Sequence, residues 1–190
     1  MNRRLIGAFS MALATFALAP VPPLFAEATL SGGGGAAWGN ANAEATRRVE
    51  GWLTDATRFC GSYEARWRVD CLRDRYRDVL PRLPRTGPYA AVWSALSEAA
   101  DGLEAIAARE ADRTRAPARL TLRQGAVTRQ SAGPVRATAP ARQSAANRAA
   151  SGVLDQLATR LLRSAPPGAV RQFATLARAA EGAKTLLRST

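Results

Sequence analysis

The sequence has no histidine and only one lysine, and these two gaps exclude several kinds of chemistry. Without histidine there is no Ser-His-Asp triad, no imidazole metal ligand and no imidazole pH switch. A catalytic serine would have to use Lys184 as its base, and no motif supports that pair. We therefore predict that the protein is not an enzyme, and that it has no catalytic residues, no metal site and no cofactor. The last of the alternative functions is an enzyme of unknown type.

The longest uncharged apolar run, Leu5 to Leu18, is shorter than the ~20 residues that a membrane-spanning helix needs. It follows the positive charges of Arg3 and Arg4, and three prolines end it. Ala26-Glu27-Ala28 then supplies small residues where a signal peptidase reads them. The pattern predicts a cleavable signal peptide over residues 1–28, a periplasmic mature protein and no transmembrane anchor after cleavage. Secretion beyond the periplasm stays open.

The chain has two cysteines, Cys60 and Cys71. In an exported protein such a pair indicates a disulfide, and two thiolates without histidine make a poor zinc site. Residues eleven apart on one helix are about 16 Å apart, whereas bridged Cα atoms need about 4.4–6.8 Å. A helix must therefore break between them. Gly61-Ser62 is the predicted break, with the glycine in a left-handed conformation and the serine as the next N-cap.

Apolar residues recur at helical spacing over most of the mature chain. Residues 29–42 form a Gly-rich leader, residues 43–112 read as three helices, and residues 145–190 read as a C-terminal helical hairpin. Short amphipathic helices must bury their apolar stripes against one another. We predict an all-α fold, a small helical bundle of about five amphipathic helices. The stripes run from Val49 to Phe59, Val69 to Leu80, Tyr89 to Ile106, Val153 to Leu161 and Val170 to Leu187, with Trp52, Trp67 and Trp93 at the core or its edge.

A long basic loop, residues 113–144, is predicted between helices three and four. There is no acidic residue from Arg113 to Leu154, and the stretch Arg119–Arg123 is the nearest case of a strand. A flexible cationic segment attracts anionic lipid, lipopolysaccharide phosphates or an acidic protein. The alternative is a disordered spacer. Export argues against nucleic acid, and so does the loop itself, because it has no aromatic side chain on which bases could stack. The candidate anion-binding residues are Arg113, Arg115, Arg119, Arg123, Arg129, Arg136, Arg142 and Arg148.

Two acidic groups lie on predicted helices. Asp70, Asp74 and Asp78 follow each other at four-residue spacing, with arginines interleaved. Alternating charges at such spacing are typical of a solvated ion-pair ladder, and an acid–base or cation site is the alternative. The second group has no basic partner on its own helix, and one hypothesis is that it faces the basic loop. It consists of Glu98, Asp101 and Glu104.

Two short pieces, Val69-Asp70-Cys71-Leu72 and Lys184-Thr185-Leu186-Leu187-Arg188-Ser189, resemble segments of an exported all-helical protein family of Gram-negative bacteria that has no assigned function. The resemblance implies an all-helical envelope protein. Our leading hypothesis is a non-enzymatic protein that binds an envelope partner through its helical surface, in an interaction or structural role. The runner-up is an adaptor for anionic lipid or lipopolysaccharide that uses the basic loop.

Overall fold

The computed structural model describes residues 41–189. The predicted signal peptide and almost all of the Gly-rich leader lie outside the described residues. The described part contains five α-helices, one two-stranded sheet and two short 3-10 helices, at Leu80–Arg82 and Pro140–Arg142. The helices are α1 Ala43–Gly61, α2 Ala65–Val79, α3 Ala90–Arg109, α4 Gln143–Arg163 and α5 Val170–Arg188, and the strands are β1 Thr121–Gln124 and β2 Val127–Gln130.

The five helices form a closed ring. Each helix contacts its neighbours along the chain, and α1 also contacts α5. In addition, α2 contacts α4 and α5, so it packs against all four other helices. The predicted helical bundle is confirmed, with a small sheet added in the connection between α3 and α4. No helix within residues 41–189 is long and apolar enough to span a bilayer.

Local sequence explains where the first helix begins. The Asn42 side chain accepts a hydrogen bond of 2.8 Å from the backbone N–H of Ala45, which satisfies one of the free donors of the first turn. The Tyr89 hydroxyl lies 2.9 Å from the Thr46 hydroxyl and therefore fixes the same turn to the start of α3. Asn42, which the sequence placed in the leader, is thus the cap of α1.

The apolar stripes predicted from the sequence form the core, with one exception. Val49, Leu53 and Phe59 of α1 are buried, and the corresponding residues of the other helices join the same cluster. Val170, predicted on the stripe of α5, is 63% exposed because α5 begins there and the side chain points away from the bundle. The core-edge prediction for the tryptophans is confirmed by three partly buried residues, Trp52, Trp67 and Trp93.

The disulfide between Cys60 and Cys71 joins the end of α1 to the middle of α2. The two Cα atoms lie 5.7 Å apart, and neither residue is exposed. The helix breaks between them as predicted, but not by the predicted caps. Gly61 is the last residue of α1 and is not left-handed, and Ser62 caps the end of α1 instead of the start of α2. Its backbone N–H reaches the carbonyls of α1.

Replacing both cysteines with alanine is expected to lower the free energy of unfolding by about 3 kcal/mol, because the bridge closes a short loop and restricts the unfolded chain. Urea unfolding without reductant measures the difference. Reductant should destabilise the wild-type protein by a similar amount and leave the double variant unchanged. Equal stability of the two proteins without reductant would contradict the prediction.

Candidate functional site

Residues 110–142, here called the connecting segment, fold into a β-hairpin between α3 and α4. Strands β1 and β2 pair antiparallel, with Thr121 opposite Gln130 and Gln124 opposite Val127. Gly125 and Ala126 form the two-residue turn, and Gly125 has a φ of 57°, a left-handed conformation that suits glycine. The long loop was thus predicted at the right place, but it is an ordered hairpin and not a disordered spacer.

The hairpin continues irregularly from the strands towards the bundle. Antiparallel bridges join Ala118 to Val135 and Ala111 to Thr138. Between these bridges and the strands, the buried Ser131 hydroxyl accepts from the backbone N–H of Leu120 at 3.0 Å and donates to a backbone carbonyl nearby. The segment therefore holds its own shape along most of its length.

Asp74 of α2 fixes the returning half of the segment through backbone groups. Its Oδ2 accepts from the N–H of Ala132 and its Oδ1 from the N–H of Gly133, each at 2.8 Å. The side chain is nearly fully buried, with a residue exposure of 3%. Hydrogen bonds to an ionised acceptor are stronger than neutral ones, so this carboxylate is a firm anchor for the chain turn at residues 131–134.

Asp70, one helical turn before Asp74, makes a second anchor. Its Oδ2 accepts from the backbone N–H of Arg136 at 2.6 Å, and its Oδ1 accepts from Nε of Arg73 at 2.7 Å. The Arg136 guanidinium also pairs with Glu104 of α3. Nε of Arg73 lies 3.3 Å from the same glutamate. Two carboxylates and two guanidinium groups thus form one network that links α2, α3 and the segment.

These contacts overturn the prediction of a solvated ladder along α2. Asp70 and Asp74 are buried because the connecting segment covers this face of the helix. Asp78 comes closest to the prediction, because it is only partly buried and pairs with Arg82 at 2.7 Å and with Arg75 at 3.6 Å. Of the second acidic group, only Glu104 faces the segment. Its other two members pair with helix arginines, Asp101 with Arg77 and Glu98 with Arg160.

The strand β2 is fixed to α1 by Arg129. Its guanidinium pairs with Asp55, and this hydrogen bond lowers the pKa of the Asp55 carboxyl below its usual value. The guanidinium groups of Arg129 and Arg75 lie 5.8 Å and 5.0 Å from the ring centroid of Phe59. A cation near an aromatic face is attracted to it, so the buried Phe59 strengthens the attachment.

Five of the eight candidate arginines are engaged within the protein. Arg129 and Arg136 hold the segment to the bundle, as described above. Arg119 donates to the backbone carbonyls of Ser131 and Ala132, which directly follow β2, at 3.2 Å and 3.3 Å. The remaining two pair with acidic residues at the ends of the segment, Arg115 with Asp112 and Arg142 with Glu110, both at 3.5 Å. Engaged guanidinium groups are less available to an external anion.

The other three candidates are exposed and have no ionic or hydrogen-bonding partner among residues 41–189: Arg113, Arg123 and Arg148. They do not lie together. Arg113 follows the end of α3, and Arg123 lies near the turn of the hairpin. Arg148 lies on α4, where it lines a polar depression with Ser144, Ser151 and Arg188. The structure therefore does not bring the eight predicted arginines together in one anion site.

The end of the hairpin is its most exposed part. Every residue from Arg123 to Thr128 is exposed, and Val127 is 59% exposed. By contrast, Leu122 packs against the core and Arg129 is tied to α1. An exposed end on a fixed base is thus the clearest surface feature of the segment.

Lys184 is not placed as a catalytic base. Its Nζ lies 2.5 Å from Oδ1 of Asp155 and 3.3 Å from Oε1 of Glu181. The hydrogen bond to Asp155 raises the pKa of the lysine above its usual value, so the amine stays charged. Within the part of the chain that the structure describes, no group of three or more acidic or cysteine residues is arranged to hold a metal ion.

Comparisons with protein-family models, with curated proteins and with solved structures found no match to this chain.

Proposed function

We propose that this chain is a non-enzymatic, exported protein of the periplasm that acts by binding a protein partner in the cell envelope. The observation that carries the proposal is the exposed end of the hairpin, residues 123–128, on a base fixed to α1 and α2. Binding residues are commonly found on loops that a rigid scaffold positions.

The fixed base of the hairpin favours binding because it lowers the conformational entropy that is lost when a partner binds. A segment that is already ordered loses less conformational freedom when a partner binds it. The described residues form only a two-stranded sheet, so the outer edges of β1 and β2 carry no further strand. An open strand edge offers backbone donors and acceptors to an added strand of a partner. Val127 adds an apolar contact at the same place.

The runner-up is an adaptor for anionic lipid or lipopolysaccharide through the arginines of the segment. It is supported by three exposed arginines without partners, Arg113, Arg123 and Arg148. It is weakened by their separation, because an anion site gains from several cations at close range. Binding through these arginines would weaken steeply with salt.

The test places a photo-crosslinking amino acid at Ala126, in the turn of the hairpin, and at Thr159, an exposed residue of α4. In cells, we expect a protein adduct from position 126 that disappears in the Val127→Asp variant, whereas position 159 gives none. Adducts are identified by mass spectrometry, and cell fractionation places the mature protein.

Two outcomes would contradict the proposal. If the protein stays in the cytoplasm with residues 1–28 still attached, the proposed location in the envelope is wrong. An adduct from position 159 alone would place the interaction on the helical surface. Deletion of residues 115–142 is not a suitable variant, because it would leave the buried carboxylates of Asp70 and Asp74 without their partners.

A further inference from the structure

Two of the three large apolar side chains that are exposed within residues 41–189 flank the same connection. Leu162, in the last turn of α4, is 51% exposed, and Val170, the first residue of α5, is 63% exposed. The third, Val127, lies on the hairpin. Single exposed apolar residues are normal on protein surfaces, but two beside one short turn form a local feature. Residues 162–171 are here called the basic apolar turn.

The charge around this turn has one sign. From Gln156 to Ala180 the sequence has arginines and no acidic residue. Arg163 and Arg171 lie directly beside the two apolar residues, are exposed, and have no ionic or hydrogen-bonding partner in the described part of the chain. The other arginines of this stretch are engaged, Arg160 with Glu98 and Arg178 with Thr175.

A third arginine lies on the same side of the molecule. Arg47 of α1 and Arg171 line one shallow depression, together with polar residues of α1 and α5 and the carboxylate of Glu50. Arg47 is exposed. Arg47 thus lies beside Arg171, the neighbour of the exposed Val170, with the carboxylate of Glu50 in the same depression, and Arg163 directly follows the exposed Leu162 at the other end of the turn.

We propose that the basic apolar turn docks the protein onto an anionic lipid bilayer. Leu162 and Val170 enter the boundary between headgroups and acyl chains, while Arg163 and Arg171 contact lipid phosphates. Apolar residues flanked by cationic ones are the pattern of proteins that lie on a membrane surface. The inference rests on the envelope location in the proposed function. It uses a different surface from the hairpin, so the two can fail separately.

The features of the turn favour a lipid surface as the occupant. The turn is positively charged on both sides of its apolar residues, and an anionic bilayer offers both negative charge and an apolar interior to such a surface. The hairpin carries a matched pair of the same residue types, exposed Val127 and unpartnered Arg123. That pair is the natural control.

The experiment measures binding of the purified mature protein to phosphatidylcholine vesicles with and without phosphatidylglycerol, by co-sedimentation at low and high salt. We expect binding only to the anionic vesicles, weakened by salt. Changing Arg163 and Arg171 to glutamine should weaken it by about 30-fold, and changing Leu162 and Val170 to serine by about tenfold or more. The control pair, Arg123→Gln with Val127→Ser, should change it less than about twofold.

All six substituted side chains are exposed, so circular dichroism spectra should stay unchanged and a loss of binding can be read directly. The proposal is overturned if the wild-type protein does not bind anionic vesicles, or binds both kinds of vesicle equally. It is also overturned if the control pair abolishes binding and the turn variants keep it. A protein adduct from Ala126 together with no vesicle binding would overturn this inference and leave the proposed function standing.

Discussion

Replacing Asp70 with alanine is expected to lower the free energy of unfolding by about 3–5 kcal/mol. The carboxylate is 1% exposed and accepts hydrogen bonds from the backbone of Arg136 and from two guanidinium groups. Removing one partner of a buried charge network leaves the other charges without compensation, and this costs more than the pair contributes. Urea unfolding of the wild-type and variant proteins, at equal ionic strength, measures the change.

The chain offers a matched control two turns along the same helix. Asp78 has the same type of charge but stays partly exposed, and it pairs with Arg82 at 2.7 Å and with Arg75 at 3.6 Å. Ion pairs that solvent reaches contribute little, so Asp78→Ala should cost less than about 1 kcal/mol. If Asp70→Ala and Asp78→Ala destabilise the protein equally, the connecting segment does not cover α2 as described here.

Replacing Phe173 with alanine is expected to cost about 3–5 kcal/mol, because the change removes a large buried ring and leaves a cavity. The ring of Phe173 is fully buried and stacks on that of Tyr89, with centroids 6.3 Å apart. Tyr89 in turn bonds the first turn of α1 through Thr46. Removal of the ring should therefore also loosen the contact between α1 and α5. Thermal and urea unfolding measure the decrease in the free energy of unfolding.

Val170→Ala is the control for this variant. Val170 lies one turn before Phe173 on the same helix, and the sequence placed both on one stripe. Because Val170 is 63% exposed, its replacement should change stability by less than about 0.5 kcal/mol. A large effect at Val170 and a small one at Phe173 would mean that α5 is rotated in the bundle.

The bundle was predictable because its information is local. Apolar residues at helical spacing, prolines between them and two cysteines eleven apart together define five helices and one bridge. Each signal acts within about three helical turns. The exact caps were less predictable, because glycine and serine suit several cap geometries. Gly61 and Ser62 marked the right break but not the conformations found there.

The hairpin and the role of Asp70 and Asp74 were not predictable in the same way. Carboxylates at four-residue spacing with arginines between them look alike on a solvated helix and on a covered one. The difference is made by residues 132–136, about sixty positions further along the chain. One signal was present in the sequence: Cys71, which is expected to be bridged and covered, lies beside Asp70 and off the apolar stripe of Val69, Leu72 and Tyr76. A helix with two covered sides fits that pattern.

Gly125 was a second signal. A glycine at the first position of a two-residue turn, between short polar stretches that end in Arg-Gln and begin with Val-Thr, is compatible with a tight hairpin. The stretch of residues 119–123 is the nearest case of a strand in the sequence, and nothing there indicates its partner strand. A strand pair with few apolar residues is hard to predict from its own sequence, because its stability depends on packing against other parts of the protein.

The anchoring of the segment by backbone N–H groups bears on how this sequence can diverge. Every amino acid except proline supplies a backbone N–H. The hydrogen bonds to Asp74 therefore do not depend on which side chain stands at position 132 or 133. A Cβ added at Gly133 would lie 3.5 Å from Oδ1 of Asp74, an ordinary van der Waals distance. In diverging descendants of this chain, we expect the two aspartates of α2 to persist while residues 132 and 133 change freely, except to proline.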